Sequence, residues 1–493
     1  MQGGKRVNAG RKSVSLKEKK VGFKVYLTPE LQEEINYYGV GASFSEKCAN
    51  LIAKRIQEEK ESFDSTIRFI DLFAGLGGIR LGFEEGLREV GLEAKCVFSS
   101  EIKKYAIKAY QGYFGNEKVY GDITQIETDT IPDFDFLLAG FPCQPFSSAG
   151  KGLGFADTRG TMFFEIERIL KEKMDAGKAA KGFLLENVEG LVNHDGGNTL
   201  AVIVDHLQKL GYNVNYKLID SQYFGLPQSR KRVYIVGTLT DKVSLDDFDE
   251  SIKTLDSVLE QGLPTVDSDF TRKLFTYYTP EEVKGKSIKD KRGGKNNIHS
   301  WDIDLKGVTT PEEKEFLSLL LKERRKKHWA EEIGITWMDG MPLTEEQIRT
   351  FYDVPELHEM LNHLHEMGYL AFEHPKKQIE KDGTKVRVPD TDLPKGYNIV
   401  AGKLSFEFSK ILSPDEMAPT LVAMDVSKLG VVDGNGIRRL SIRECQRLCG
   451  YPDEYSLDQL SEGDAFDLLG NTVCVPVIKE ISLRLGEIYQ KQR

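Results

Sequence analysis

The apolar run Ile67-Arg68-Phe69-Ile70-Asp71-Leu72-Phe73 stops at Ala74-Gly75-Leu76-Gly77-Gly78, and a helix pattern follows from Ile79. No other stretch limits the fold of this chain as strongly. A run this apolar reads as a buried strand, of the kind a sheet covered on both faces contains. Gly75, Gly77 and Gly78 then let the backbone of the strand-to-helix turn come close to a ligand. Taken alone, such a turn serves a dinucleotide or is simply a tight bend. A second run, Ala94-Lys95-Cys96-Val97-Phe98, ends at Ser99-Ser100-Glu101, which puts a carboxylate where open α/β sheets bind ribose hydroxyls. Gly121-Asp122-Ile123 offers another carboxylate, suited to an adenine amino group. The competing reading of Glu101 and Asp122 is a pair of solvated strand ends. The pattern predicts an α/β fold.

At 493 residues the chain suits two or three domains, each able to bury a core. Its 77 acidic and 67 basic residues give a net charge of -10, which argues against coating nucleic acid by bulk charge. Any contact with nucleic acid would have to come from local basic patches. The six cysteines form no CxxC pair, and no apolar stretch reaches the roughly 18 residues of a membrane span. The start, Met1-Gln2-Gly3-Gly4-Lys5-Arg6, runs into charge instead of an apolar signal core. A reduced, cytoplasmic protein without a membrane partner is expected. Cys445 and Cys449 stand one helical turn apart, but no further His or Cys completes a zinc set, so packing is the expected role and no metal is expected.

Up to Lys24 the chain carries eight basic residues and one acidic, Glu18, an arm of about +7 that phosphates would attract. Gly22 to Leu27 alternates like a strand, with Lys24 and Tyr26 on one face. Thr28-Pro29-Glu30 starts a helix, Gly39 and Gly41 end it, and Ser43-Phe44-Ser45-Glu46 is a capping box for a second. Glu58 to Glu61 would be a linker. This order resembles a ribbon-helix-helix DNA-binding module over residues 20–60. Such a unit cannot bury a core alone, so the resemblance implies a homodimer through residues 20–60 whose paired strands enter the major groove. The competing reading is a solvated basic tail on a helical hairpin.

Downstream of the glycine turn, Gly140-Phe141-Pro142-Cys143-Gln144-Pro145-Phe146-Ser147 sets one thiol in a tight loop straight after the apolar run Phe134 to Ala139. A structural cysteine belongs among apolar neighbours in a helix or strand; this one stands between two prolines. Glu186-Asn187-Val188 follows the run Gly182-Phe183-Leu184-Leu185, and Gln228-Ser229-Arg230-Lys231-Arg232 opens another strand. In this order, with the glycine turn in front, the segments resemble the DNA (cytosine-5)-methyltransferase family of bacterial or phage restriction-modification systems. Arg438 to Pro452 and Gly470-Asn471-Thr472-Val473-Cys474-Val475-Pro476-Val477 match its two closing motifs. The resemblance covers 67–237 and 411–485. Ala149 departs from members that carry Ser on the nucleophile loop.

The resemblance implies a discontinuous, Rossmann-like S-adenosylmethionine-dependent catalytic domain over 66–241, completed by 466–493. A smaller target recognition domain would occupy 242–465 and include the ninth family motif, with the basic arm and ribbon-helix-helix-like module at 1–62. Phe73, Gly75, Gly77, Gly78, Glu101, Asp122, Ile123, Met162, Asn471 and Val473 would hold S-adenosyl-L-methionine. Cytosine C5 is a poor nucleophile, so a thiolate, Cys143, would add at C6 while Glu186 supplies a proton at N3. Arg230 and Arg232, presented to one face of their strand, would serve the cytosine O2 region and the nucleophile loop, with Arg232 the base contact. Asn187 would hold the loop. A stacked cytosine hides C6, so double-stranded DNA would yield a flipped-out base, with 150–155 closing over it. Within the recognition region, the basic run from Lys322 to His328 is a solvated helix face or a phosphate clamp, Thr344 to Leu370 reads as helix, and Asp382-Gly383 as a hairpin turn. Competing functions are an RNA (tRNA) cytosine-5 methyltransferase and a DNA-binding repressor with secondary enzyme activity. A cognate restriction endonuclease would be a functional partner only.

Overall fold

A computed structural model describes residues 24–142, 162–336, 340–381, 384–400 and 406–491. Cys143, the closing loop 150–155 and the turn Asp382-Gly383 lie outside the described residues. The chain divides into two compact units, Met1–Thr66 and Ile67–Arg493.

In the first unit, helix Pro29–Tyr38 starts at Thr28, whose hydroxyl accepts from the Leu31 amide at 3.3 Å, and stops at Gly39. The second helix, Phe44–Ser65, begins where the Ser43 hydroxyl accepts from the Glu46 amide at 3.2 Å. The Glu46 carboxylate reaches back to the Ala42 amide, at 2.9 Å, one residue earlier than a simple capping box requires. Two expectations change. The helix runs straight through Glu58–Glu61, where a linker was expected, because nothing in that charged stretch breaks a helix. Lys24 to Leu27 form no strand, since a lone strand has no neighbour to pair its backbone. No residue of 24–55 is buried.

The second unit is built on a seven-stranded sheet. Its strands are β1 (Ile67–Leu72), β2 (Ala94–Ser100), β3 (Val119–Tyr120), β4 (Phe136–Gly140), β5 (Gly182–Val188), β6 (Asn213–Asp220) and β7 (Lys231–Thr238), in the order β3-β2-β1-β4-β5-β7-β6. β7 runs antiparallel to both neighbours, while the pairs among β1 to β5 are parallel. Five of the six β1 residues are buried, as expected for a strand covered on both faces. Leu72 pairs with Ala139, Gly140 with Glu186 and Val188 with Arg232, so one sheet edge gathers the ends of β1, β4 and β5 with the start of β7. In open α/β sheets ligands bind at that edge.

Helix Val475–Lys491 returns to lie along helix Gly78–Glu89. Close approach depends on Gly82: a Cβ there would meet the Val475 carbonyl oxygen and the Ile478 Cβ at 2.7 Å each. The helix Val475–Lys491 thereby packs closely against the helix that follows β1.

Between them, strands Ser287–Ile288, Asn297–Ile298, Lys410–Leu412, Leu429–Asp433 and Gly436–Arg439 form a second sheet. Beside it, Trp301, Phe316, Leu320, Leu343, Leu361 and Tyr369 share a core of their own. The helix expected over Thr344–Leu370 is two helices, Glu345–Arg349 and Leu357–Glu366. Pro355 lies in the gap and its missing amide and ring prevent one continuous helix. The basic run is not uniformly solvated either: Arg324 is buried and donates to Asn398 Oδ1 at 2.8 Å, and Lys326 pairs with Glu323 at 2.8 Å. Strands Lys376–Lys381 and Thr384–Pro389 pair antiparallel on either side of 382–383.

Candidate active site

A cavity of about 590 Å³ opens at the sheet edge where β1, β4, β5 and β7 meet. Phe73, Gly75, Gly78, Glu101, Asp122, Ile123, Met162, Glu186, Arg232, Asn471 and Val473 line it. Gly77 does not. It caps helix Gly78–Glu89 at φ 71°, packed so close to Phe114 and Tyr110 that a Cβ would strike both rings.

The floor is made by the turn after β1. Phe73 has a φ of 57°, a left-handed conformation that costs a bulky residue roughly 1–3 kcal/mol and is tolerated where surrounding structure enforces it. Glu101 explains much of that enforcement. Its Oε2 accepts from the Gly75 amide at 2.9 Å, and its Oε1 from the amides of Ile102 and Lys103 at 2.8 Å each. The carboxylate is thus held rigidly at the end of β2, with the turn drawn onto it. Asp122 Oδ1 accepts from the Thr124 amide and hydroxyl, at 3.0 and 2.8 Å. The closing segment joins by hydroxyls: Tyr455 donates to the Leu76 carbonyl at 2.6 Å, and Tyr451 and Thr472 lie 2.5 Å apart.

Beneath this floor, Asp71 is 1 % exposed and its Oδ2 has no hydrogen-bond partner among the described residues. Burial pushes its carboxyl up to about 8, against the nearby Arg80 guanidinium. Arg80 is itself shared among Glu84, Tyr110 and Glu117, and stacks on Phe114 at 4.1 Å.

At the other side of the cavity, Glu186 is 8 % exposed, and its Oε1 lies 3.1 Å from Arg232 Nε. Burial raises the Glu186 pKa above the ordinary carboxyl value; the guanidinium groups of Arg232 and Arg230 oppose the shift without cancelling it. A carboxyl whose pKa is raised holds its proton more readily, the direction a general acid requires. Asn187 Nδ2 donates to the Phe141 carbonyl at 2.8 Å, fastening the backbone two residues before Cys143 to the end of β5. Phe141 and Pro142 line the same cavity, so the chain enters the cysteine loop from its rim.

Arg230 is placed differently from the sequence expectation. Its side chain does not share the cavity with Arg232. It is 1 % exposed and donates to the carbonyls of Leu421, Gly470 and Thr472, at 2.9, 3.1 and 2.5 Å. Lone carbonyls from two distant segments attract a guanidinium whose fork can satisfy several at once. Lys231 is exposed. Sequence reasoning also missed Ile102, Lys103, Thr124, Leu468 and Thr472, all of which line the cavity. Ile102, Thr124 and Thr472 adjoin residues singled out from the sequence, and that adjacency is the available signal; Lys103 and Leu468 lie two and three positions from Glu101 and Asn471, and no local pattern marks them. Cys445 and Cys449 are buried in a hydrophobic cluster with Leu448 and Leu469.

The cavity has the chemistry of a cradle for an adenosine-type cofactor, the group S-adenosylmethionine carries. A rigid carboxylate at the end of β2 fits ribose hydroxyls, Asp122 fits an amino group, and Phe73, Ile79, Ile123 and Val473 supply apolar walls.

The profile described as C-5 cytosine-specific DNA methylase matches residues 67–487. A type II methyltransferase of Neisseria lactamica, M.NlaIV, is 56% identical over 426 residues, 85% of this chain and 98% of the relative. M.NgoBV of Neisseria gonorrhoeae is 55% identical over the same shares, and M.BanI of Aneurinibacillus aneurinilyticus 43% identical over 84% and 94%. Among solved structures, a Schizosaccharomyces pombe Dnmt2 methyltransferase aligns at 15% identity with a TM-score of 0.46, over 87% of this chain and 99% of that one. With the profile spanning 67–487 and relatives above half identity aligned over 98% of their own length, this chain belongs to the C-5 cytosine-specific DNA methylase family.

Proposed function

We propose that the chain methylates C5 of a cytosine flipped out of double-stranded DNA, as the modification enzyme of a restriction-modification system. The observation that carries this reading is the placement of Glu186. It is a buried carboxyl whose pKa is raised, paired with Arg232 and level with Gly140, three residues before Cys143 on the adjoining strand. Cys143 adds as thiolate to C6, forming a C–S bond and moving an electron pair into the ring. Glu186 gives a proton at N3, so the ring carries no net negative charge and C5 becomes nucleophilic. Arg232 orients Glu186 and faces the base at O2. Asn187 fixes the approach to the cysteine loop. Bound S-adenosylmethionine supplies an electrophilic methyl group. Return of the N3 proton to Glu186, loss of the C5 proton to solvent and expulsion of the thiolate then restore the ring, Glu186 and Cys143.

Phe73, Gly75, Gly78, Glu101, Asp122, Ile123, Met162, Asn471 and Val473 hold the cofactor, while Gly77 shapes their turn. The target sequence is read by 242–465. The first unit adds a ribbon-helix-helix-like module whose strands form when two copies pair, binding DNA and regulating the enzyme's own expression. An RNA substrate is not favoured: relatives matched almost end to end are type II methyltransferases. The test is to incubate the protein with S-adenosylmethionine and mixed genomic DNA and to map 5-methylcytosine at base resolution, with Cys143→Ser alongside. Methylation at one short motif, absent with Cys143→Ser, is expected. Methylation of tRNA in place of DNA, or activity surviving in Cys143→Ser, would overturn the reading.

A further inference from the structure

Lys103 is among the residues lining a cavity that the proposed function fills with a cationic cofactor, and its side chain ends in an ammonium. Sulfonium and ammonium would repel each other there. The structure contains a counterweight. Lys103 Nζ lies 2.7 Å from Asp467 Oδ2, and the same oxygen accepts from the Tyr105 hydroxyl at 2.7 Å. Asp467 Oδ1 accepts from Asn471 Nδ2 at 3.1 Å, and the Asp467 carbonyl from the same amide at 2.8 Å. Asp467 does not itself line the cavity, but two residues that do, Lys103 and Asn471, are fastened to it. The pair is also the point where the chain leaving β2 meets helix Glu462–Asn471, which comes from the far end of the sequence. Hydrogen bonds from Lys103, Tyr105 and Asn471 outweigh partial burial and hold the Asp467 carboxyl below its ordinary pKa, so it is charged at neutral pH.

We propose that Asp467 is a positioning residue for the methyl donor: it draws the Lys103 ammonium to one side of the cavity and cancels its charge, so the site accepts a sulfonium. This rests on the S-adenosylmethionine reading of the cavity. It differs from a mere brace between two walls, because a brace serves every ligand alike. A charge-cancelling residue distinguishes S-adenosylmethionine, which carries the sulfonium, from S-adenosylhomocysteine, which lacks the methyl and is a neutral thioether at sulfur.

Asp467→Asn separates the two roles, since an amide of the same shape still bonds Tyr105 and Asn471 while the charge is lost. Dissociation constants of both ligands are measured by titration calorimetry on the full chain, for the wild type, Asp467→Asn, and Asp467→Asn combined with Lys103→Met. The first substitution is expected to weaken S-adenosylmethionine by about fivefold at low salt and the thioether by less than about twofold, as a partly screened charge implies. Removing Lys103 as well is expected to return the ratio of the two affinities to the wild-type value. Equal weakening of both ligands with no recovery in the double variant would overturn the proposal in favour of a brace, as would an unchanged ratio in Asp467→Asn. A wild type that binds neither ligand would overturn the cofactor reading beneath it, a distinguishable failure.

Discussion

Replacing Arg230 by Met tests the largest departure of the site from its sequence pattern. The side chain is fully enclosed, and its guanidinium serves three backbone carbonyls, those of Leu421, Gly470 and Thr472. Its Nε has no acceptor among the described residues, so the group is already imperfectly solvated. Met fills most of the volume but leaves three buried acceptors unpaired. At roughly 1–3 kcal/mol for each orphaned group, offset by the cost of burying the cation in the first place, a net loss of about 4 kcal/mol follows. Unfolding entropy for a unit the size of Ile67–Arg493 is roughly 0.9 kcal/mol/K, which converts the loss into a fall in Tm of about 4–5 °C. Calorimetric or fluorescence melting reads this directly, and urea midpoints guard against irreversible melting. Because Thr472 lines the cavity and Gly470 and Thr472 flank Asn471, binding of S-adenosylmethionine should weaken in parallel with stability. An Arg230→Met protein with unchanged Tm and cofactor affinity but a collapsed kcat would refute this reasoning and place Arg230 at the base.

The titratable groups yield two more tests. Glu186→Gln removes the proton donor while keeping shape, so kcat should fall by about 10²- to 10⁴-fold with cofactor affinity retained. The wild type's decline in kcat as pH rises through the raised Glu186 pKa should vanish too; a pH profile that keeps that limb in the variant would exclude Glu186 as its source. Asp71, raised from 3.8 to about 8, binds a proton in the folded state that the unfolded chain has already released. Stability should therefore decline as pH rises across that window, by at most about 1.4 kcal/mol per pH unit, and be fully present only below it. Asp71→Asn should flatten the difference between urea midpoints taken near about pH 6 and about pH 8.5, and an unaltered slope would sink this assignment.

Much of the site was legible because it is a set of strand ends. A strand declares itself through consecutive apolar residues, and whatever follows it stands at the sheet edge; Phe73, Glu101, Asp122, Glu186 and Asn187 needed no knowledge of distant partners. Arg230 and Arg232 show the limit of that reasoning. They are two residues apart, Arg230 just before β7 and Arg232 within it, and share a residue type, so local pattern assigns them alike. Their fates diverge because Leu421, Gly470 and Thr472 deliver carbonyls to one of them from about 190 to 240 positions away. The basic run divides for the same reason, Arg324 being buried against Asn398 while its neighbours carry the charge.

By itself, then, the amino-acid sequence determined the α/β class, the order of the motifs, the family and the residues that end strands, since each depends on chemistry within a few positions. Only the tertiary structure decided which arginine is internal scaffolding, that Gly77 supports the cavity without lining it, and that Lys103 is neutralised by Asp467. It also left Lys24 to Leu27 unpaired, because a strand is a relation between segments and no other described part of this chain provides the second. Charge, burial and pairing are properties of neighbours, and neighbours far apart in the chain are chosen by the fold.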